Sequence, residues 1–179
     1  DGSIISLDPG LRTFMTGISR TNNINIGDNV NKIIGNKLKI LEKIDKNPII
    51  KKTIKKKIQI RINKKINNTI DDLHWKSIKF LTTNYDNIFL GDMSAKNIVR
   101  KSSDILNGIQ KTACLRTRYY EFSERLKYKC QVYGKQYQMI DESYTSKMCS
   151  YCGNMNETLG TSRIYDCSRC LTNMGRDIN

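Results

Sequence analysis

A single histidine, His74, stands in the 179 residues. That scarcity argues against a His general base and against a Cys-His nucleophile. His74, beside Trp75 in a helical stretch, reads as a packing or phosphate-facing side chain. No apolar run approaches the ~20 residues that cross a bilayer, so no membrane partner is expected. No signal peptide is visible. Six cysteines in a lysine-rich chain of this length do not make a disulfide scaffold, so a reducing, intracellular compartment is expected. No internal repeat is evident. Acidic residues are also few, 17 against 31 Lys and Arg, for a net charge of +14. That excess points to a polyanion, because Lys and Arg neutralise phosphates and release counterions.

The chain is long enough for one globular domain with a small insertion. Residues 4–7, 13–18 and 23–27 read as a three-strand meander, the first strand stopped by Asp8-Pro9-Gly10. Residues 29–84 read as helical, with a break at Pro48. Ile50, Ile54, Ile58, Ile62 and Ile66 make an apolar stripe, and Lys51, Lys55, Lys56, Lys57, Arg61, Lys64 and Lys65 cover the other face. That cationic face is either ordinary solvated surface or a phosphate-tracking one. A buried strand follows at 86–90, ending at Gly91-Asp92. Residues 103–133 read as helix, with an apolar stripe of Leu106, Ile109, Leu115, Tyr119, Phe122, Leu126 and Tyr128. Cys114 and Cys130 within it read as small buried hydrophobes. A last strand covers 136–140. Strands alternating with helices predict an α/β sheet flanked by helices, and in open sheets of that kind sites form at the carboxyl ends of strands.

Cys149-x2-Cys152-x14-Cys167-x2-Cys170 has the spacing of a zinc ribbon. Four thiolates leave no open coordination position, so the zinc would be structural. Tyr144, Lys147, Tyr151, Arg163, Tyr165 and Arg169 surround it, either to stack bases and hold phosphates or as plain surface. Three carboxylates come from separate segments: Asp8 after the first strand, Glu142 after the last, and Asp177 after the cysteines. Were they to converge, repulsion between them would call for a hard cation such as Mg²⁺. Two such ions would clamp the attacking and leaving oxygens of a phosphodiester.

Four segments carry a family likeness: 7–12 (Leu-Asp-Pro-Gly-Leu-Arg), 90–97 (Leu-Gly-Asp-Met-Ser-Ala-Lys-Asn), 143–149 (Ser-Tyr-Thr-Ser-Lys-Met-Cys) and 176–179 (Arg-Asp-Ile-Asn). They resemble the RuvC-like nuclease half of TnpB, the transposon-encoded RNA-guided nuclease, and more narrowly its Fanzor relatives. The resemblance implies an RNase H-like (RuvC) mixed sheet with flanking helices and an inserted zinc ribbon. It implies a nuclease core over 1–141 with a basic helical insertion, the ribbon over 142–173, and a last RuvC segment over 174–179. Asp8 and Asp177 match the family's first and last catalytic aspartates. The usual glutamate falls at Gly91, with Asp92 next to it; in Fanzor-like members it is displaced to the strand before the ribbon, where Glu142 stands. Gly175 also departs from the acidic residue common before Arg-Asp.

By resemblance, Asp8, Glu142 and Asp177 would hold Mg²⁺, and the chain would be a Mg-dependent endodeoxyribonuclease with a guide RNA (omega RNA) and target DNA as partners. Pairing between RNA and DNA would then supply sequence specificity. The compartment would be the nucleus in a eukaryote, otherwise the cytoplasm, the nucleoid or a viral factory. The family's guide-binding half has no counterpart here, as in a piece of a longer protein. Gly91 keeps open a catalytically inactive RNA-guided binder, with Asp92 or Asp141 as substitute acids. A stand-alone resolvase acting on branched DNA is a further alternative, against which the zinc ribbon argues, and a DNA-integrating transposase shares the three-acid logic.

Overall fold

The computed structural model describes residues 2–10, 13–93, 107–140, 147–157, 159–160 and 162–175. The chain divides into two compact units, Asp1–Gln138 and Met139–Asn179.

A mixed sheet anchors the first unit. β1 (Ile4–Pro9), β2 (Met15–Ser19) and β3 (Asn23–Ile26) form the antiparallel meander. Gly17 makes its close packing possible, since a Cβ there would lie 2.7 Å from Ile24 Cγ1 and 2.9 Å from Ile5 Cδ1. β4 (Asn87–Gly91) pairs with the other edge of β1 in parallel, Ile4 beside Asn87 and Leu7 beside Leu90. β5 (Gln136–Ile140) completes the order β3-β2-β1-β4-β5. Gln136 donates its N–H to the Asp86 carbonyl at 2.8 Å, so β5 sets out from the same edge as β4. The Asp86 carboxylate also takes the Lys135 ammonium at 2.7 Å and the Ser3 N–H at 3.0 Å, tying together the starts of three strands. Lys135 first, then Ser3, hold its pKa down at about 2. β1 runs on through Pro9 where the sequence suggests a stop at Asp8. Proline is tolerated because it occupies the last strand position.

α1 (Val30–Lys46) and α2 (Lys52–Asn84) are separated at Pro48, as expected. α2 buries Ile66, Ile70, His74, Ile78 and Leu81, the spacing of one helical face. The stripe read further upstream is only partly core. Ile66 is buried and Ile62 packs against the core, but Ile54 is 48% exposed. The first turns of α2 meet the end of α1, where Lys55 Nζ donates to the Asp45 carbonyl at 2.5 Å. The helix expected over 103–133 is two helices among the described residues. α3 (Gly108–Arg116) opens on a capping box between Asn107 and Gln110. α4 (Tyr119–Val132) begins after Arg118, whose φ is 51°. The break changes the helical phase, so Leu115 and Tyr128 of the expected stripe face solvent while Tyr119, Phe122 and Leu126 are buried. Leu106 lies outside the described residues. Cys114 and Cys130 are buried, as read, and burial pushes both thiols up.

His74 is fully buried, which removes the phosphate-facing alternative. It stacks on Phe14 at 5.6 Å and meets Phe122 edge-on at 5.2 Å. Its Nε2 lies 2.9 Å from the Thr117 carbonyl and its Nδ1 3.2 Å from Arg125 Nη1. The neutral ring satisfies both contacts, donating from Nε2 and accepting at Nδ1. Arg125 and Arg118 share Asp71 of α2, each at 2.8 Å, and both pair with Glu121 of α4. This network locks α4 to α2 and explains the strained Arg118.

Burial first, and the two guanidinium charges, push the His74 pKa down from near 6.5 to about 4. Between those values the unfolded chain binds the extra proton and the native chain does not. Stability is therefore full above about pH 6.5 and falls as the pH drops towards 4, by up to about 3 kcal/mol. Urea unfolding followed by the fluorescence of Trp75 is expected to show a lower midpoint at pH 5 than at pH 7.5. His74→Phe, which keeps the aromatic packing, is expected to shrink that difference.

Candidate metal centre and catalytic edge

The second unit is organised by its cysteines. β6 (Ile164–Asp166) and β7 (Asn173–Gly175) form a short antiparallel hairpin. Each Cys-x2-Cys pair sits in the same tight turn. Gly153 N–H donates to the Cys149 carbonyl at 2.8 Å, and Leu171 N–H to the Cys167 carbonyl at 3.0 Å. The residue after the second cysteine has positive φ in both turns, 71° at Gly153 and 59° at Leu171. The first position suits glycine; the second carries strain that a leucine tolerates only where the turn is otherwise fixed.

The four sulfurs lie within 4.8 Å of one another. Cys149 and Cys170 sulfurs are 3.6 Å apart and those of Cys152 and Cys167 3.5 Å apart. A tetrahedron with Zn–S bonds of ~2.3 Å sets its sulfurs ~3.8 Å apart, so the cluster could hold zinc with little adjustment. Donors favour the thiolate at Cys170 and Cys167, whereas at Cys152 the Asn154 N–H is outweighed by burial and the neighbouring thiols, which push the thiol up. The Thr172 hydroxyl, with the Thr172 N–H, lowers the Cys170 pKa to about 6, and the Cys170 N–H lowers that of Cys167. Four cysteines fill the coordination sphere, so such a zinc holds structure and leaves no place for a reacting water. Tyr165 is fully buried, its hydroxyl donating to the carbonyls of Lys147 and Asn154, and is not a stacking platform. Tyr151 is exposed. Tyr144 lies outside the described residues.

Asp8 lies in β1 between buried Leu7 and buried Pro9, its own side chain exposed. The pairing of β1 with β4 ends at Leu7 with Leu90, and one step on Asp8 and Gly91 stand at the same level. Asp92, exposed, follows. The position where the family resemblance expects a glutamate is thus beside Asp8 and carries no side chain. Buried Tyr119 donates its hydroxyl to the Gly91 carbonyl and fixes the end of β4 from α4. Sequence patterning marked Tyr119 only as part of an apolar stripe; its hydroxyl contact depends on the fold. Glu142, Asp141 and Asp177 lie outside the described residues, so the structure places one of the three proposed acids.

Residues 119–179 match the family model described as "Cas12f1-like, TNB domain". "TnpB-like protein L79" and "TnpB-like protein L770" of Acanthamoeba polyphaga mimivirus are each 32% identical over 182 residues, covering 97% of this chain. The chain is TnpB-like. "Putative transposase A625R" of Paramecium bursaria Chlorella virus 1 is 28% identical over 186 residues. The chain spans 35% of the length of the two mimivirus relatives and 41% of the Chlorella virus one. A chain solved by cryo-EM in a Cas12f1-sgRNA-target DNA complex superposes with a TM-score of 0.60 at 20% identity, over 99% of this chain and 48% of that one. The likeness shows that the TnpB-like chain shares the fold of that chain, a mixed sheet with flanking helices. The Fanzor-like variant is not distinguished by these relatives. No helix among the described residues is long and apolar enough to cross a membrane.

In the TnpB-like chain, Cys149→Ser is expected to lose one zinc per molecule by native mass spectrometry. Hydrogen exchange should then accelerate over the described residues of 147–175 and stay unchanged in α2 and β1. Unchanged zinc content would show that the cluster does not hold the metal.

Proposed function

We propose that the chain is the nuclease half of an RNA-guided endonuclease that hydrolyses DNA phosphodiesters. The observation that carries this reading is Asp8, an exposed carboxylate on a strand whose neighbours are buried, level with the end of β4. The relatives support it: they are TnpB-like, and the structural neighbour was solved with sgRNA and target DNA. In this reading Asp8, Glu142 and Asp177 hold divalent cations, Mg²⁺ by their hard oxygen chemistry. The chemistry such an ion would supply there is activation of a water and stabilisation of the charge developing on the phosphate. Glu142, two residues beyond the last residue of β5, replaces the glutamate missing at Gly91. The four cysteines hold a structural zinc, and the basic surface holds guide RNA and target DNA by their phosphates.

A second reading has one observation in its favour. Gly91 removes a carboxylate from the level of Asp8, which suits a TnpB-like protein that binds its target without cutting it.

The full-length protein, assembled with its guide RNA, separates the two. Glu142→Gln and Asp8→Asn are each expected to lower Mg²⁺-dependent cleavage at least a hundredfold while RNA and DNA binding stay within twofold. Cleavage by Glu142→Gln at the parental rate would remove Glu142 from the site. Binding without cutting by the parental protein would favour the second reading, and cutting of branched DNA without RNA would favour a resolvase.

A further inference from the structure

α2 and α4 leave a groove of about 560 Å³ on the surface of the first unit. Pockets of ~300–1,000 Å³ enclose small ligands, so the space accommodates a nucleobase and its phosphate. Trp75, Lys79 and Thr83 reach it from successive turns of α2, Lys129 and Tyr133 from the end of α4. Lys135 also lines it but is engaged by Asp86.

The aromatic groups of the groove are exposed. Trp75 is 44% exposed and Tyr133 55%. Trp75 is also held in place. The Arg125 guanidinium lies 5.0 Å from its ring centroid, and Arg125 is itself fixed by Asp71, Glu121 and His74. A ring braced on one face by a cation, with much of its area in water, is a pre-organised stacking platform. The Lys129 ammonium lies 5.5 Å from the Tyr133 ring centroid. Among the described residues neither Lys79 nor Lys129 is ion-paired, although Asp86 neutralises Lys135. An aromatic plane flanked by unpaired ammonium groups matches one ligand chemistry, a base joined to a phosphodiester.

We propose that this groove binds single-stranded nucleic acid, one base stacking on Trp75 and the adjoining phosphates held by Lys79 and Lys129. The site lies apart from Asp8 in residue composition and needs no divalent cation. The proposal therefore does not depend on the chain cutting DNA.

The test uses the zinc-loaded full chain in Mg²⁺-free buffer with two probes, a deoxythymidine octamer and a uridine octamer. Trp75 is the one tryptophan of the sequence, so its emission reports the groove directly. Saturable quenching by an octamer is expected. Anisotropy of labelled octamers should show Trp75→Ala binding at least fivefold more weakly and Trp75→Phe restoring most of the loss. Lys79→Gln with Lys129→Gln should reduce the slope of log affinity against log salt by about 1.4, the release expected for two single-strand phosphates. Tighter binding of the uridine octamer would identify RNA as the source of the strand, and tighter binding of the thymidine octamer would identify DNA. Octamer binding without quenching of Trp75, or the parental affinity in both Trp75→Ala and the double lysine variant, would overturn the proposal. So would no binding at all.

Discussion

Parallel pairing of β1 with β4 is the constraint from which the rest of the first unit follows. Two parallel neighbours cannot be joined by a tight turn, so the chain must leave the sheet and return, and α1 and α2 make that crossing. Burial of Ile5, Leu7, Ile88 and Leu90 drives the pairing and sets its register. Once the register is set, alternation turns Asp8 out to solvent at the level of Gly91. A one-residue slip would turn Asp8 inward and Leu7 out. The carboxylate's place is therefore a consequence of apolar packing several residues away. Asp86 reinforces the same register from the opposite end by tying the starts of β1, β4 and β5.

The two units are stabilised by different physics. The first buries an extended apolar core, with His74, Arg125, Asp71 and Glu121 forming a polar lock between α2 and α4. Such a lock is a liability if one member is removed, since the remaining charges lose their partners. The second has a small core of Cys149, Leu159, Tyr165 and Cys167, and its turns carry a positive-φ leucine. A core of that size needs a cross-link, and four sulfurs at tetrahedral spacing provide the ligands for one.

Strands were legible because short apolar runs were bounded by Gly, Pro and Asn, and the Cys spacing was legible because metal geometry is local. The course of β1 through Asp8 and Pro9 was not, because strand length depends on the partner strand and not on the turn residues alone. The break between α3 and α4 was hidden as well. Thr117 and Arg118 carry no breaker signal, and the left-handed turn is held by the Asn67 carbonyl and by Asp71, about one helical turn further along another element. Ile54 looked like core because periodicity shows which side of a helix is apolar and cannot show whether another element covers it. His74 offered two readings that only burial could separate. For the site, Asp8 and the cysteines were marked by position and spacing, and the vacancy at Gly91 was readable only against the family resemblance. Tyr119's grip on β4 required the fold.

In the proposed catalytic site Asp8 and Glu142 share divalent cations with Asp177. The most direct measurement is anomalous diffraction at the manganese edge from the full-length protein, assembled with guide RNA and target DNA and soaked with Mn²⁺ in place of Mg²⁺. The proposed site requires a peak about 2.1 Å from carboxylate oxygens of Asp8 and Glu142, with Asp177 on the same ion or its neighbour. A peak ligated by Asp92 or Asp141 in place of Glu142, or no peak at Asp8, would contradict it.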